Sequence, residues 1–207
     1  MSRLPEDSTK RALPAEPGKA LLVSFGFVAL LYLVWFVDRI FPASLVRAGG
    51  IRSRDWSEFD GLLWAPLLHG GWDHLAANTV PVVVFAFLAM AGGLAQWADV
   101  TALIWILSGL GVWLAGPSQA ITIGASGLAF GWLAFLLVRG FFNRSGGQLV
   151  IAGILFFLYG SMLWSVLPLY QGVSWQGHLF GALSGILAAW LVARAERGQV
   201  RATRWTW

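Results

Sequence analysis

The stretch "ITIGASGLAFGW" sets Ser126 between small residues, and "SWQGHLFGALSG" places His178 in a later apolar segment. A hydroxyl is a poor nucleophile until a base takes its proton, and imidazole is the usual base near neutral pH. The pair therefore points to acyl transfer. A third group stands earlier, in "LLHGGWDHLAANTVP", which carries His69, His74 and Asn78. His74 and Asn78 are four residues apart, so on a helix they share one face, and both donate hydrogen bonds of the kind an oxyanion needs. Ser126 at a helix start, with Gly124 just before it, adds free backbone N–H groups and the positive end of the helix dipole. No carboxylate is placed to orient His178, because Asp60 and Asp73 belong to an early loop and Asp99 to the opposite end of the helices. The chemistry expected is that of a Ser-His dyad.

These residues need elements to carry them. The chain has 207 residues, 57% of them hydrophobic and only 12% charged, against about 45–50% and 25% in soluble domains. It reads as an all-α polytopic membrane protein. Ala20 to Val37 is free of charge and long enough for about 27 Å of helix. It reads as a retained first helix, because a signal peptide has a shorter apolar core. The mixed, charged stretch from Arg39 to Asp60 reads as a loop, and the uncharged run from His74 to Ala98 holds a second span. Val100 to Val138 divides at "AGPSQAITIGAS", and Ser145 to Ala193 divides at "LPLYQGVSW", each giving two helices. Six spans result. The expected units are an N-terminal tail over 1–19, a six-helix membrane domain over 20–193 and a basic C-terminal tail over 194–207.

Positive charge orients the spans. With the N-terminus inside, Arg3, Lys10, Arg11, Lys19, Arg139, Arg144, Arg194, Arg197, Arg201 and Arg204 face the cytoplasm, and Arg39, Arg47, Arg52 and Arg54 lie outside. The expected topology is N-in and C-in, which brings all three histidines and Ser126 to the outer leaflet. The net charge of +4 sits beside apolar runs and fits lipid headgroups rather than nucleic acid. Glycines at four-residue spacing, Gly127 and Gly131 on one helix and Gly177, Gly181 and Gly185 on the other, let the helices of Ser126 and His178 approach. Polar residues Ser118, Gln119, Ser174 and Gln176 are candidates to line a water path. Histidine-only metal or haem ligation leaves the GxSG without a role, so no metal and no cofactor is expected. A transporter is disfavoured because the halves show no obvious repeat and the polar groups crowd one leaflet.

Jointly, "GASG", "GHLFG" and "HGGWDH…N" on six helices resemble the rhomboid family of intramembrane serine proteases, over residues 20 to 193. The resemblance implies a six-helix rhomboid-like bundle in which Ser126 is the nucleophile, His178 the base, and His74 and Asn78 oxyanion donors. It implies a structural part for His69 in the first loop. Substrates would be transmembrane protein helices cut near the outer face through an acyl-enzyme, and the membrane a bacterial inner one. Two positions depart from the family: Asp60 and Gly61 stand where a Trp-Arg pair is common, and Phe130 replaces a tyrosine that packs on the histidine. The alternative is a catalytically inactive rhomboid-like chaperone or scaffold. The physiological substrate and the oligomeric state are not legible.

Overall fold

A computed structural model describes residues 10–41 and 43–203, with side chains through Arg197. Six of its helices are long and apolar enough to cross a membrane. The first, α1 (Pro17–Ile40), starts with proline in its first turn, where the missing N–H costs nothing. Its buried residues Ala20, Ser24, Val28 and Leu31 form one stripe on the helix, which packs against the later helix Trp72–Ala89.

The loop after α1 is built rather than loose. It contains α2 (Leu45–Gly49), the two-residue strand β1 (Ile51–Arg52), a 3-10 turn over Trp56–Glu58, α3 (Gly61–Trp64) and a second 3-10 turn over Ala65–Leu67. Its fasteners run to neighbouring elements. Arg54 Nη1 donates to the carbonyls of Leu114 and Gly116 at 3.0 Å each. Ser53 Oγ donates to the Val112 carbonyl at 2.9 Å, and Trp113 Nε1 donates to the Asp55 carbonyl at 3.1 Å. Within the loop Arg52 pairs with Glu58. Thus Asp60 and Gly61 sit in a segment held by these contacts.

The remaining spans are α4 (Trp72–Ala89), α5 (Leu94–Ala115), α6 (Ser126–Asn143), α7 (Gly146–Tyr159) and α8 (Trp175–Thr203). Between α5 and α6 lies β2 (Ile121–Thr122), antiparallel to β1 with Ile51 opposite Thr122. A 3-10 segment, Gly160–Val166, follows α7 and extends that span. Helix α6 is central and mostly buried along its apolar span, whereas α7 is largely unburied and presents its apolar side chains outward. α6 packs most extensively on α8, then on α7 and α4. The reason is the glycine spacing. A Cβ added at Gly181 or Gly185 would collide with the carbonyl oxygen of Gly127 or Gly131 respectively, so only glycine admits this backbone approach.

Two boundaries differ from expectation. α1 begins at Pro17 rather than 20, and the preceding residues are docked: the Arg11 carbonyl accepts from Arg139 and, at 3.0 Å, from Gln148 Nε2, while the Lys10 carbonyl accepts from Ser145 Oγ at 2.9 Å. At the other end α8 continues past 193 to Thr203, because Ala, Arg, Glu and Gln there are strong helix formers. The parts of the expected tails at 1–9 and 204–207, with Arg3 and Arg204, lie outside the described residues, as does the side chain of Arg201.

Candidate active site

Ser126 is the first residue of α6 and His178 lies in the first turn of α8, so the glycine-mediated contact of these helices brings their short side chains together. His178 Nε2 is 3.0 Å from Ser126 Oγ. The imidazole is 7% exposed. One face of it lies on the Phe130 ring, with centroids 4.1 Å apart and planes 10° from parallel. Its other nitrogen, Nδ1, is 3.0 Å from Ser165 Oγ and 3.1 Å from the Ser165 carbonyl oxygen. Ser165 belongs to the 3-10 segment after α7.

The histidines of the first loop and of α4 stand next to the backbone that leads into Ser126. His69 is 1% exposed, and its Nε2 accepts from the Ala125 N–H at 3.4 Å, one residue before Ser126. Burial, and after it the neighbouring His74, pulls the His69 imidazole down to about 4, so it is neutral at physiological pH. The His69 and His74 rings lie 4.9 Å apart. Asn78 is buried and donates Nδ2 to the His74 carbonyl at 2.9 Å, which uses one of its two N–H groups within its own helix.

Gly124 departs from expectation. Its N–H donates to the Ala65 carbonyl at 2.8 Å and so does not serve an oxyanion. Its part is conformational: φ is +116°, and a Cβ there would lie 2.6 Å from His74 Nε2. In the first backbone bond of α6 the Ala129 N–H donates to the Ala125 carbonyl at 3.0 Å, so the N–H groups of Ser126, Gly127 and Leu128 precede the helical ladder.

A cavity of about 30 Å³ adjoins Ser126 and Gly127, with Ser108, Ser174, Gly177 and Val112 among its walls. That is room for about two water molecules. Ser174 thus lines the site as expected, while Ser118, Gln119 and Gln176 are not among its walls. Ser165 was not singled out from the sequence, where nothing in its spacing separates it from Ser161. The two-residue β1–β2 pairing, which ties the first loop to the segment leading into Ser126, was also not legible.

The rhomboid domain model matches residues 56–195, which contain Ser126, His178 and the whole set around them. The chain belongs to the rhomboid family. An uncharacterized protein of Mycobacterium tuberculosis is 46% identical over 200 residues, covering 92% of this chain and 81% of its own length. A putative rhomboid protease of Bacillus subtilis is 30% identical over 151 residues, 72% of this chain and 73% of that protein. A putative rhomboid protein of Acanthamoeba polyphaga mimivirus is 31% identical over 137 residues, 63% of this chain and 74% of that one. With six apolar spans and this membership, the protein is an integral multi-pass membrane protein with a rhomboid-like helical bundle. In this rhomboid the expected tyrosine is Phe130, and the ring still stacks on the histidine without a hydroxyl.

Proposed function

We propose that this rhomboid is an intramembrane serine endopeptidase that cleaves transmembrane-helix substrates. The observation that carries the reading is the 3.0 Å approach of His178 Nε2 to Ser126 Oγ at the start of a buried helix. Ser126 Oγ attacks the scissile carbonyl carbon as its proton passes to Nε2, and the carbonyl electron pair moves to oxygen. Collapse of the tetrahedral species expels the amine, which takes that proton from Nε2. Water then attacks the acyl ester, giving a proton to Nε2, and Ser126 regains it on release of the acid. The early N–H groups of α6 offer backbone donors for the oxyanion, and the family resemblance adds His74 and Asn78. The cavity beside Ser126 supports a supply of water.

The excess of Lys and Arg on one side supports N-in and C-in topology, with the dyad toward the outer face and substrate cut near it. A bacterial inner membrane fits this orientation. The test is reaction with a fluorophosphonate probe, followed by cleavage of a transmembrane model substrate in proteoliposomes. Wild type labels and cleaves, and Ser126→Ala and His178→Ala do neither. Folded wild type that neither labels nor cleaves would leave the inactive, scaffold-type reading in its place.

A further inference from the structure

We propose that Ser165 is a positioning residue that fixes which nitrogen of His178 carries the proton, doing without charge what a carboxylate does in a three-residue serine hydrolase site. The inference rests on the protease reading for its catalytic consequence, but the proton count stands on geometry alone. A serine hydroxyl has one proton to donate. That of Ser165 is committed to the Met162 carbonyl, 2.7 Å away in the same 3-10 segment. Toward His178 the Ser165 hydroxyl is therefore left as an acceptor, at 3.0 Å from Nδ1. The second group facing Nδ1 is the Ser165 carbonyl oxygen at 3.1 Å, which accepts only.

Two acceptors converge on one ring nitrogen, so Nδ1 holds the hydrogen and donates it to both. In neutral imidazole the other nitrogen, Nε2, is then the bare one. Nε2 is the atom that faces Ser126 Oγ. The nucleophile's proton meets an open lone pair rather than an N–H. When Nε2 takes the proton, the ring becomes a cation whose Nδ1–H still points at two oxygens, and such charge-assisted bonds strengthen as the charge appears. Phe130 holds the plane of the same ring from one face, and Ser165 sets its rotation within that plane. Because Ser165 lies on the segment between α7 and α8, the alignment of the base depends on the placement of that segment.

The tautomer is read directly by nitrogen-15 NMR of detergent-solubilised protein labelled at histidine, with the His178 signals identified by their loss in His178→Ala. The expected spectrum at neutral pH has the proton on Nδ1, and a proton on Nε2 would overturn the assignment. The positioning role is read from the rate of fluorophosphonate labelling at Ser126. Ser165→Ala keeps the carbonyl acceptor and loses the hydroxyl, so its labelling rate is expected to fall about tenfold, at the lower end for a bond to a developing charge. Ser165→Thr restores the hydroxyl and recovers most of that loss. For a cleavable helix the fall appears in kcat and not in KM, since Ser165 meets the base and not the substrate. Ser165→Ala that labels at the wild-type rate would refute the role. Wild type that does not label at all would instead remove the protease reading and the positioning role with it, while the tautomer measurement still decides the proton's place.

Discussion

The Phe130 ring lies flat against the His178 imidazole, 4.1 Å between centroids and 10° from parallel. The contact joins the second turn of α6 to the first turn of α8, so the side chain that stacks on the proposed base rises from the same helix as Ser126, the proposed nucleophile. A ring stack of this kind contributes about 0.5–1.5 kcal/mol beyond area burial. Phe130→Leu keeps apolar volume and loses the stack, and is expected to slow fluorophosphonate labelling of Ser126 by about threefold to tenfold. Phe130→Tyr retains the ring and labels faster than Phe130→Leu. Equal rates for the two variants would show that the stack has no part in aligning the base.

The α6–α8 seam makes a separate prediction about stability. An alanine Cβ at Gly181 falls on the Gly127 carbonyl oxygen, which is backbone and cannot swing aside. Gly181→Ala is expected to destabilise the protein by about 1–3 kcal/mol through overpacking. Gly153 on α7 has nothing within 4 Å of an added Cβ, and Gly153→Ala is expected to be neutral or slightly stabilising by helix propensity. Thermal unfolding in detergent compares the two. A Gly181→Ala midpoint at or above that of Gly153→Ala would mean that the seam has room for a methyl group.

The approach of Ser126 and His178 was legible in the sequence because both stand in charge-free runs with glycines at helical spacing, so one pattern both predicts spans and lets them meet. His69 was expected in the first loop, and there its Nε2 accepts from the Ala125 N–H. Gly124 was misread as an oxyanion donor because its N–H is consumed by Ala65, a carbonyl distant in sequence that only the folded first loop delivers. Ser165 stayed hidden for a similar reason. Its use depends on a 3-10 segment that turns both its hydroxyl and its carbonyl toward one ring, and no periodicity encodes such a turn. The helical continuation of α8 to Thr203 was hidden by charge, which marks the end of an apolar run and not the end of a helix.

Buried His69 gives the protein an acid limit. Its folded value is about 4, below the ordinary imidazole value of 6.5 expected for the unfolded chain. Between these values the unfolded state binds the proton and the folded state does not, so stability rises with pH across that window. The contribution is complete above about 6.5 and is lost as pH falls toward 4. His69→Gln keeps an acceptor for the Ala125 N–H but does not titrate. The difference in thermal midpoint between wild type and His69→Gln is therefore expected to shift against wild type on going from pH 7 to pH 4.5. A constant difference across that range would show that His69 titrates alike in both states.

Arg54 tests how the first loop is tied to the bundle. It has a φ of 63°, a left-handed value that costs a non-glycine residue about 1 kcal/mol or more. Its guanidinium offsets this by donating to the carbonyls of Leu114 and Gly116, where the end of α5 leaves acceptors without helical partners. Arg54→Ala keeps the backbone demand and removes both bonds, and is expected to lower stability by about 1–2 kcal/mol. Arg54→Gly removes the bonds but relieves the backbone, so it is expected to be the more stable of the two. Lysine restores the charge without the planar fork and is expected to recover only part of the loss. Thermal unfolding of the three variants ranks them. If Arg54→Lys matched wild type, the charge at the end of α5 would suffice and the directed bonds to Leu114 and Gly116 would not be what fastens the loop.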